Sequence, residues 1–166
     1  KLIGFSVREW KDKDRTDLFA EIAVRAEYNH NYLEKQCKDY ETNQNPQLTI
    51  EVTADDIIKE RSFSEDGESF SDGYIESLAF YRKFCEAIAS CDVILFHCAA
   101  VAVDGKAYLF TAPSGTGKTT HIGLWQKIHG DKMTIVNGDK PLLKISKEKI
   151  TVYGTPWDGK ERQSTN

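Results

Sequence analysis

The residues best equipped for chemistry are Ala112-Pro113-Ser114-Gly115-Thr116-Gly117-Lys118-Thr119, which fit the phosphate-binding loop pattern A/G-x-x-x-x-G-K-S/T. A triphosphate brings several negative charges that must be held out of water. A loop of close-packed backbone N–H groups opening into a helix N-terminus supplies donors and the positive end of a dipole. Gly115 and Gly117 let the chain curl through conformations closed to residues with a Cβ, Lys118 is placed to span the β- and γ-phosphates, and the Thr119 hydroxyl to ligate Mg²⁺. Ser114, Gly115, Thr116, Gly117, Lys118, Thr119 and Thr120 are therefore the expected nucleotide-binding residues, for ATP or GTP. The alternative is a glycine-rich turn ahead of a helix that happens to carry Lys and Thr.

A second constellation is Asn137-Gly138-Asp139-Lys140, behind the apolar run 133–136. Phosphoryl-transfer sites place an Asp at the end of such a strand, where it holds Mg²⁺ or its water, or takes the proton of the nucleophile. Asp139 stands suitably downstream of Lys118; its plainer reading is a turn residue before Pro141. His97 follows an apolar run, where a lone His by its chemistry alone is a packed, hydrogen-bonded residue.

The elements that must position these residues follow from apolar spacing. Residues 106–111 form a strand into the loop, and Ile122, Trp125 and Ile128 recur at helical spacing after it, with Gly130 as the stop. Residues 93–96 form a buried strand continuing to Val103, and Asp104-Gly105 makes a two-residue hairpin into the loop strand. That antiparallel pairing implies a mixed sheet instead of a purely parallel one. Residues 142–145 and 150–153 pair as a further hairpin.

Upstream, residues 2–7 are expected as a first strand, 11–15 as a polar loop, 18–24 as a strand or a helix, 34–47 as a loop and 48–52 as a strand. Thr53 caps a short helix ending near Arg61, with Asp56 completing the capping box. Residues 62–73 are an exposed loop, and 74–90 an amphipathic helix. The division expected is an α+β portion over 1–72 and a nucleotide-binding domain over 73–166.

Composition narrows the class. The chain has 166 residues, of which 40% are apolar, enough for a buried core. A net charge of -4 with mixed signs gives no basic face for nucleic acid or an anionic membrane, so neither partner is expected. No apolar run reaches a membrane span and the start has no signal-peptide pattern, which makes the cytoplasm the expected compartment. The four cysteines show neither C-x-x-C nor finger-like spacing and are expected as reduced, packed thiols.

Phe96-His97, the hairpin, APSGTGKTT at 112–120, IVNGDKPLL at 135–143 and GTPWDGKE at 154–161 together resemble the HPr kinase/phosphorylase group, in particular its HPr-kinase-like members. The match covers about residues 74–161. The resemblance implies an α/β fold with a mixed, partly antiparallel sheet around a P-loop, a core shared with phosphoenolpyruvate carboxykinase. It implies transfer of the ATP γ-phosphoryl group to a serine hydroxyl of a protein acceptor, with ATP and Mg²⁺ as cofactors. By position, Asp139 matches the family's acid/base aspartate and His97 its active-site histidine, here assigned to orienting Asp139 or the γ-phosphate. The catalytic set is then Asp139, His97 and Lys118, and the metal set Thr119 and Asp139. The family carries adjacent acids where this chain has Gly138-Asp139, and it continues past residue 166 with further acidic and arginine residues. Poor transfer is therefore expected of these 166 residues alone, with Arg162 as a replacement cation. A non-catalytic ATP-sensing module and a carboxykinase-like small-molecule phosphotransferase are the competing classes, and homo-oligomerisation stays open.

Overall fold

The computed structural model describes residues 13–63, 67–113 and 115–159. The strand expected over 2–7, Ser114 and Arg162 lie outside them. The elements in chain order are β1 (Lys13–Phe19), β2 (Ile22–Tyr28), α1 (Asn31–Gln36), β3 (Leu48–Glu51), α2 (Ala54–Arg61), α3 (Asp72–Ile88), β4 (Val93–Leu95), β5 (Ala99–Val103), β6 (Lys106–Phe110), α4 (Lys118–His129), β7 (Met133–Asn137), β8 (Leu142–Ile145) and β9 (Ile150–Tyr153). The strands form three small sheets, ordered β1-β2-β3, β4-β8-β9 and β6-β5-β7. The fold is mixed α/β. Antiparallel β1–β2 and parallel β2–β3 pairing mix in the first sheet. The sheet that leads into the glycine-rich loop, β6-β5-β7, is antiparallel in both its pairings, so the mixed pairing expected around that loop lies in another sheet.

Three local expectations are corrected. Residues 11–15 are not a loop from Lys13 onward, because Arg15 turns inward onto Asp17 and the carbonyls of Glu34 and Cys37 while Lys13 and Asp14 pair with β2. Asp14 lies opposite Glu27, and Arg25 bonds Asp14 at 2.7 Å. Residues 18–24 are neither one strand nor one helix: Ala20 and Glu21, with φ of 49° and 65°, turn the chain between β1 and β2. The polar residues 34–47 include the end of α1 and a single 3-10 turn, anchored by buried Leu33, Cys37 and Tyr40.

The capping box is present in full: Asp56 N–H donates to Thr53 Oγ1 at 3.3 Å, and Thr53 N–H to Asp56 Oδ2 at 2.9 Å. α3 inserts Ile75, Ala79, Phe80, Phe84 and Ile88 into the main core, which also takes Phe19, Val24 and Leu33 from the residues before 72. Phe19 meets Phe84 edge-on at 4.9 Å, and Trp157 joins them from beyond β9 at 6.0 and 5.3 Å. Rings packed in this way add about 0.5–1.5 kcal/mol per pair to their burial.

A second, smaller cluster of Ala99, Val101, Val103, Ile122 and Met133 lies between β6-β5-β7 and α4. Trp125 packs against it, tilted to Tyr108 at 4.9 Å and edge-on to Phe110 at 5.2 Å. Ile128, spaced with Ile122 and Trp125, is 76% exposed and contributes nothing to this cluster. No described helix is long and apolar enough to cross a membrane.

Candidate functional site

The Asp104-Gly105 hairpin forms as expected, with Val103 opposite Lys106 and positive φ at both turn residues, 49° and 75°. It sets β6 antiparallel to β5, and β7 pairs antiparallel on β5's other side. β6 and β7 therefore run parallel to each other with one strand between them. Their C-terminal ends come to the same sheet edge, where Phe110 lies opposite Ala99 and Asn137 opposite Ala100. One end feeds the glycine-rich loop, the other the 138–140 turn, and residues 96–98 enter β5 between them. The expected single strand 93–103 is broken at this point: β4 pairs with β8 in a different sheet, and Phe96, His97 and Cys98 make the crossing.

The loop has the conformation its glycines permit. Gly115 and Gly117 have φ of 82° and 93°, and Gly117 caps α4. A Cβ at Gly115 would meet nothing within 4 Å, so backbone conformation, not crowding, requires glycine there. Thr116 Oγ1 donates to Pro113 O at 2.7 Å, and His121 N–H closes the first helical bond to Gly117 O at 2.9 Å. Lys118, Thr119 and Thr120 open α4, and Lys118 Nζ donates to Ala112 O at 2.8 Å. α4 has no acid in its first turn, whereas α1, α2 and α3 carry Glu34, Asp55 with Asp56, and Asp72 there. Its positive end is the one that no first-turn carboxylate offsets, a site suited to an anion.

Across β5, His97 Nε2–H donates to Asp139 Oδ1 at 3.0 Å, and the Lys140 ammonium pairs with Asp139 Oδ2. The carboxyl is partly buried, which alone would raise its pKa. The bonds from Lys140 and His97 outweigh that and hold it below the usual carboxylate range. Cys98 lies between the two halves: burial and the Asp139 carboxylate push its thiol up to about 11, while the Lys118 ammonium acts against them. One group thus senses both Lys118 and Asp139. All four cysteines are free thiols.

The residues expected to act together divide as follows. His97 contacts Asp139, and Lys118 is brought to the same sheet edge but bonds a loop carbonyl. Thr119 stands in the first turn of α4. For a nucleotide the fit rests on two glycines at positive φ, an uncompensated helix end and a lysine whose amine is held by an exchangeable carbonyl. For Mg²⁺, Thr119 and Asp139 would supply two oxygen ligands, with phosphates and water as the rest, the sparse protein set this ion commonly has. No cluster of three or more His, Cys, Asp or Glu side chains suited to a metal occurs among the described residues.

Four participants carried no role in the sequence reading. Lys140 is the closest cation to Asp139, buried Asn137 and Thr155 brace its turn, and Gly159, at φ 80°, would place a Cβ 3.1 Å from Asp139 Cβ. Their signal was adjacency to the motif, in IVNGDK and GTPWDG, but residues 18 positions apart in sequence meet only through the β8–β9 hairpin. No family model, no curated protein and no solved structure matches the chain.

Proposed function

We propose that this chain is an ATP-binding protein of the HPr-kinase-like type, with a P-loop at 112–119, that transfers the γ-phosphoryl group to a protein hydroxyl. The observation that carries this reading is the shared sheet edge: a lysine-bearing glycine loop and an ionised Asp–His pair stand on either side of one strand. In-line transfer needs both, the loop and helix end under the phosphates and a base at the incoming hydroxyl. A bound Mg²⁺ would neutralise charge on the transferring phosphate. The chain's own residues do the rest. Lys118 exchanges Ala112 O for phosphate oxygens. Asp139, held ionised, accepts the hydroxyl proton, and His97 fixes the carboxylate's orientation.

Gly138, where the resembled family carries an acid, has no positive φ, so an Asp there meets no backbone strain. Gly138→Asp is expected to raise turnover on a suitable acceptor.

Calorimetry with Mg²⁺ and ATP, on the parent and on Lys118→Ala, tests the binding half. Loss of a charge-assisted phosphate contact should weaken affinity by about 1.5–3 kcal/mol. Equal affinities would leave the loop a structural turn. Initial-rate phosphorylation of candidate protein acceptors tests the transfer half. Tight ATP binding with no transfer to any acceptor would favour a sensing module.

A further inference from the structure

Asn137 is completely buried, and its amide is used at both ends. Oδ1 accepts the backbone N–H groups of Asp139 at 2.9 Å and Lys140 at 2.7 Å, and Nδ2 donates to Thr155 O and Thr155 Oγ1, both at 3.1 Å. Thr155, also completely buried, donates its hydroxyl to Lys140 O at 2.7 Å and accepts Trp157 N–H at 3.2 Å. Cys98 N–H closes the other side of the turn, donating to Asp139 O at 2.9 Å. The 138–140 turn is thus held by three separate segments.

The brace is anchored. Trp157, two residues beyond Thr155, lies 4.9 Å from Tyr81 and 5.3 Å from Phe84 on α3, and 6.0 Å from Phe19. Gly159 then returns the segment to Asp139 itself. An isolated turn of this length fluctuates, and a carboxylate on it would sample many positions. A buried, fully satisfied polar network fixes one geometry, because any alternative leaves donors and acceptors unpaired.

We propose that Asn137 and Thr155 are positioning residues: they hold the 138–140 turn so that Asp139 stays at His97 and Lys140, and Trp157 ties that turn to the main core. As a statement about catalysis this rests on the transfer function proposed above; as a statement about the turn it does not.

Two readouts keep these apart. Amide hydrogen exchange at Asp139 and Lys140 is followed by NMR in the parent, in Thr155→Val and in Thr155→Ser, with Val101 in β5 as the folding control. Thr155→Val should speed exchange at both turn amides by about tenfold or more, with Val101 protection unchanged. Thr155→Ser, which loses only a methyl group, should protect both as the parent does. In the same samples, Thr155→Val should lower kcat by about tenfold while KM for ATP stays within about twofold, and Thr155→Ser should restore kcat.

Parental exchange at both amides in Thr155→Val would overturn the proposal. So would fast exchange in Thr155→Ser, which decides the matter even if Thr155→Val does not fold. A parent that phosphorylates no acceptor, with the exchange pattern as stated, refutes the transfer function and leaves the brace standing.

Discussion

The first sheet with α1–α3 and the sheet under α4 are built on different terms. In the first, Phe19, Leu33, Ile75, Phe80, Phe84 and Ile88 are fully buried, and the Phe19 ring meets Phe84 of α3 and Tyr40 beyond α1. In the second, the core is five modest side chains, β6 lies at the sheet's edge, and α4 buries only Ile122. Even the acids differ. Asp17 is buried against Arg15, with its pKa raised by desolvation, whereas Asp139 is partly open with its pKa lowered by its cations. Stability is concentrated in one region and exchangeable polar groups in the other, the division expected where a rigid scaffold carries a site.

The comparison breaks most visibly at Asp17. Its carboxylate takes three hydrogen bonds from Arg15, whose side chain is itself only 6% exposed. Asp17→Ala leaves that guanidinium buried without a carboxylate and should cost about 3–5 kcal/mol by urea unfolding. ATP affinity of the folded fraction should not change. If affinity falls in step with stability, the two regions are one cooperative device and the division fails.

The converse change is Asp139→Asn. Turnover should drop by roughly 10² while affinity for ATP changes much less, as for loss of a general base. His97→Ala should have a smaller effect on the same assay, since its contact acts through Asp139. Turnover near the parent's in Asp139→Asn would remove that carboxylate from the reaction.

A pH series sharpens the contrast. Burial alone would raise the pKa of Asp56, but its bonds to Lys83 and Thr53 outweigh that and leave it lowered. Its contribution is present above the ordinary carboxylate value and is lost as pH falls through the folded one. Asp17, raised, contributes below the ordinary value and loses that contribution as pH rises through its folded one. Acid should therefore destabilise through Asp56 and not through Asp17. Asp56→Asn should cost about 1 kcal/mol or less at pH 7 and flatten the loss of stability below about pH 4, measured by urea unfolding across pH. The smallest effect belongs to the exposed face of α4: Ile128→Lys should change stability by about 0.5 kcal/mol or less. A larger loss would mean that this face is covered in solution.

What could be seen in advance follows the same division. The capping box, the Asp-Gly hairpin and the β8–β9 hairpin were legible because each is decided by residues within a few positions of one another. So was α3, whose apolar positions repeat over four turns. The β1–β2 turn was hidden because residues 18–24 are apolar apart from Glu21, and Ala20 and Glu21 adopt positive φ without Gly or Asn to announce it. The break at 96–98 was hidden because β4 and β5 are both apolar and choose different sheets through partners far along the chain. His97 and Asp139 were each nameable, but the Asn137–Thr155 brace depends on a contact that no local spacing encodes.

β5 has a further effect through its width. Neighbouring strands stand about 4.8 Å apart, so the ends of β6 and β7 are separated by roughly 10 Å. Lys118 is bonded to Ala112 O on one side, and Asp139 to His97 and Lys140 on the other, with a protonated thiol between them. The sheet keeps the two opposite charges from meeting. Asp139 already has a cation of its own in Lys140, and a Lys118 drawn across to it would only join a pair that is complete. Held one strand apart, the Lys118 ammonium keeps a neutral carbonyl for its partner and stays open to an anion carried in from outside.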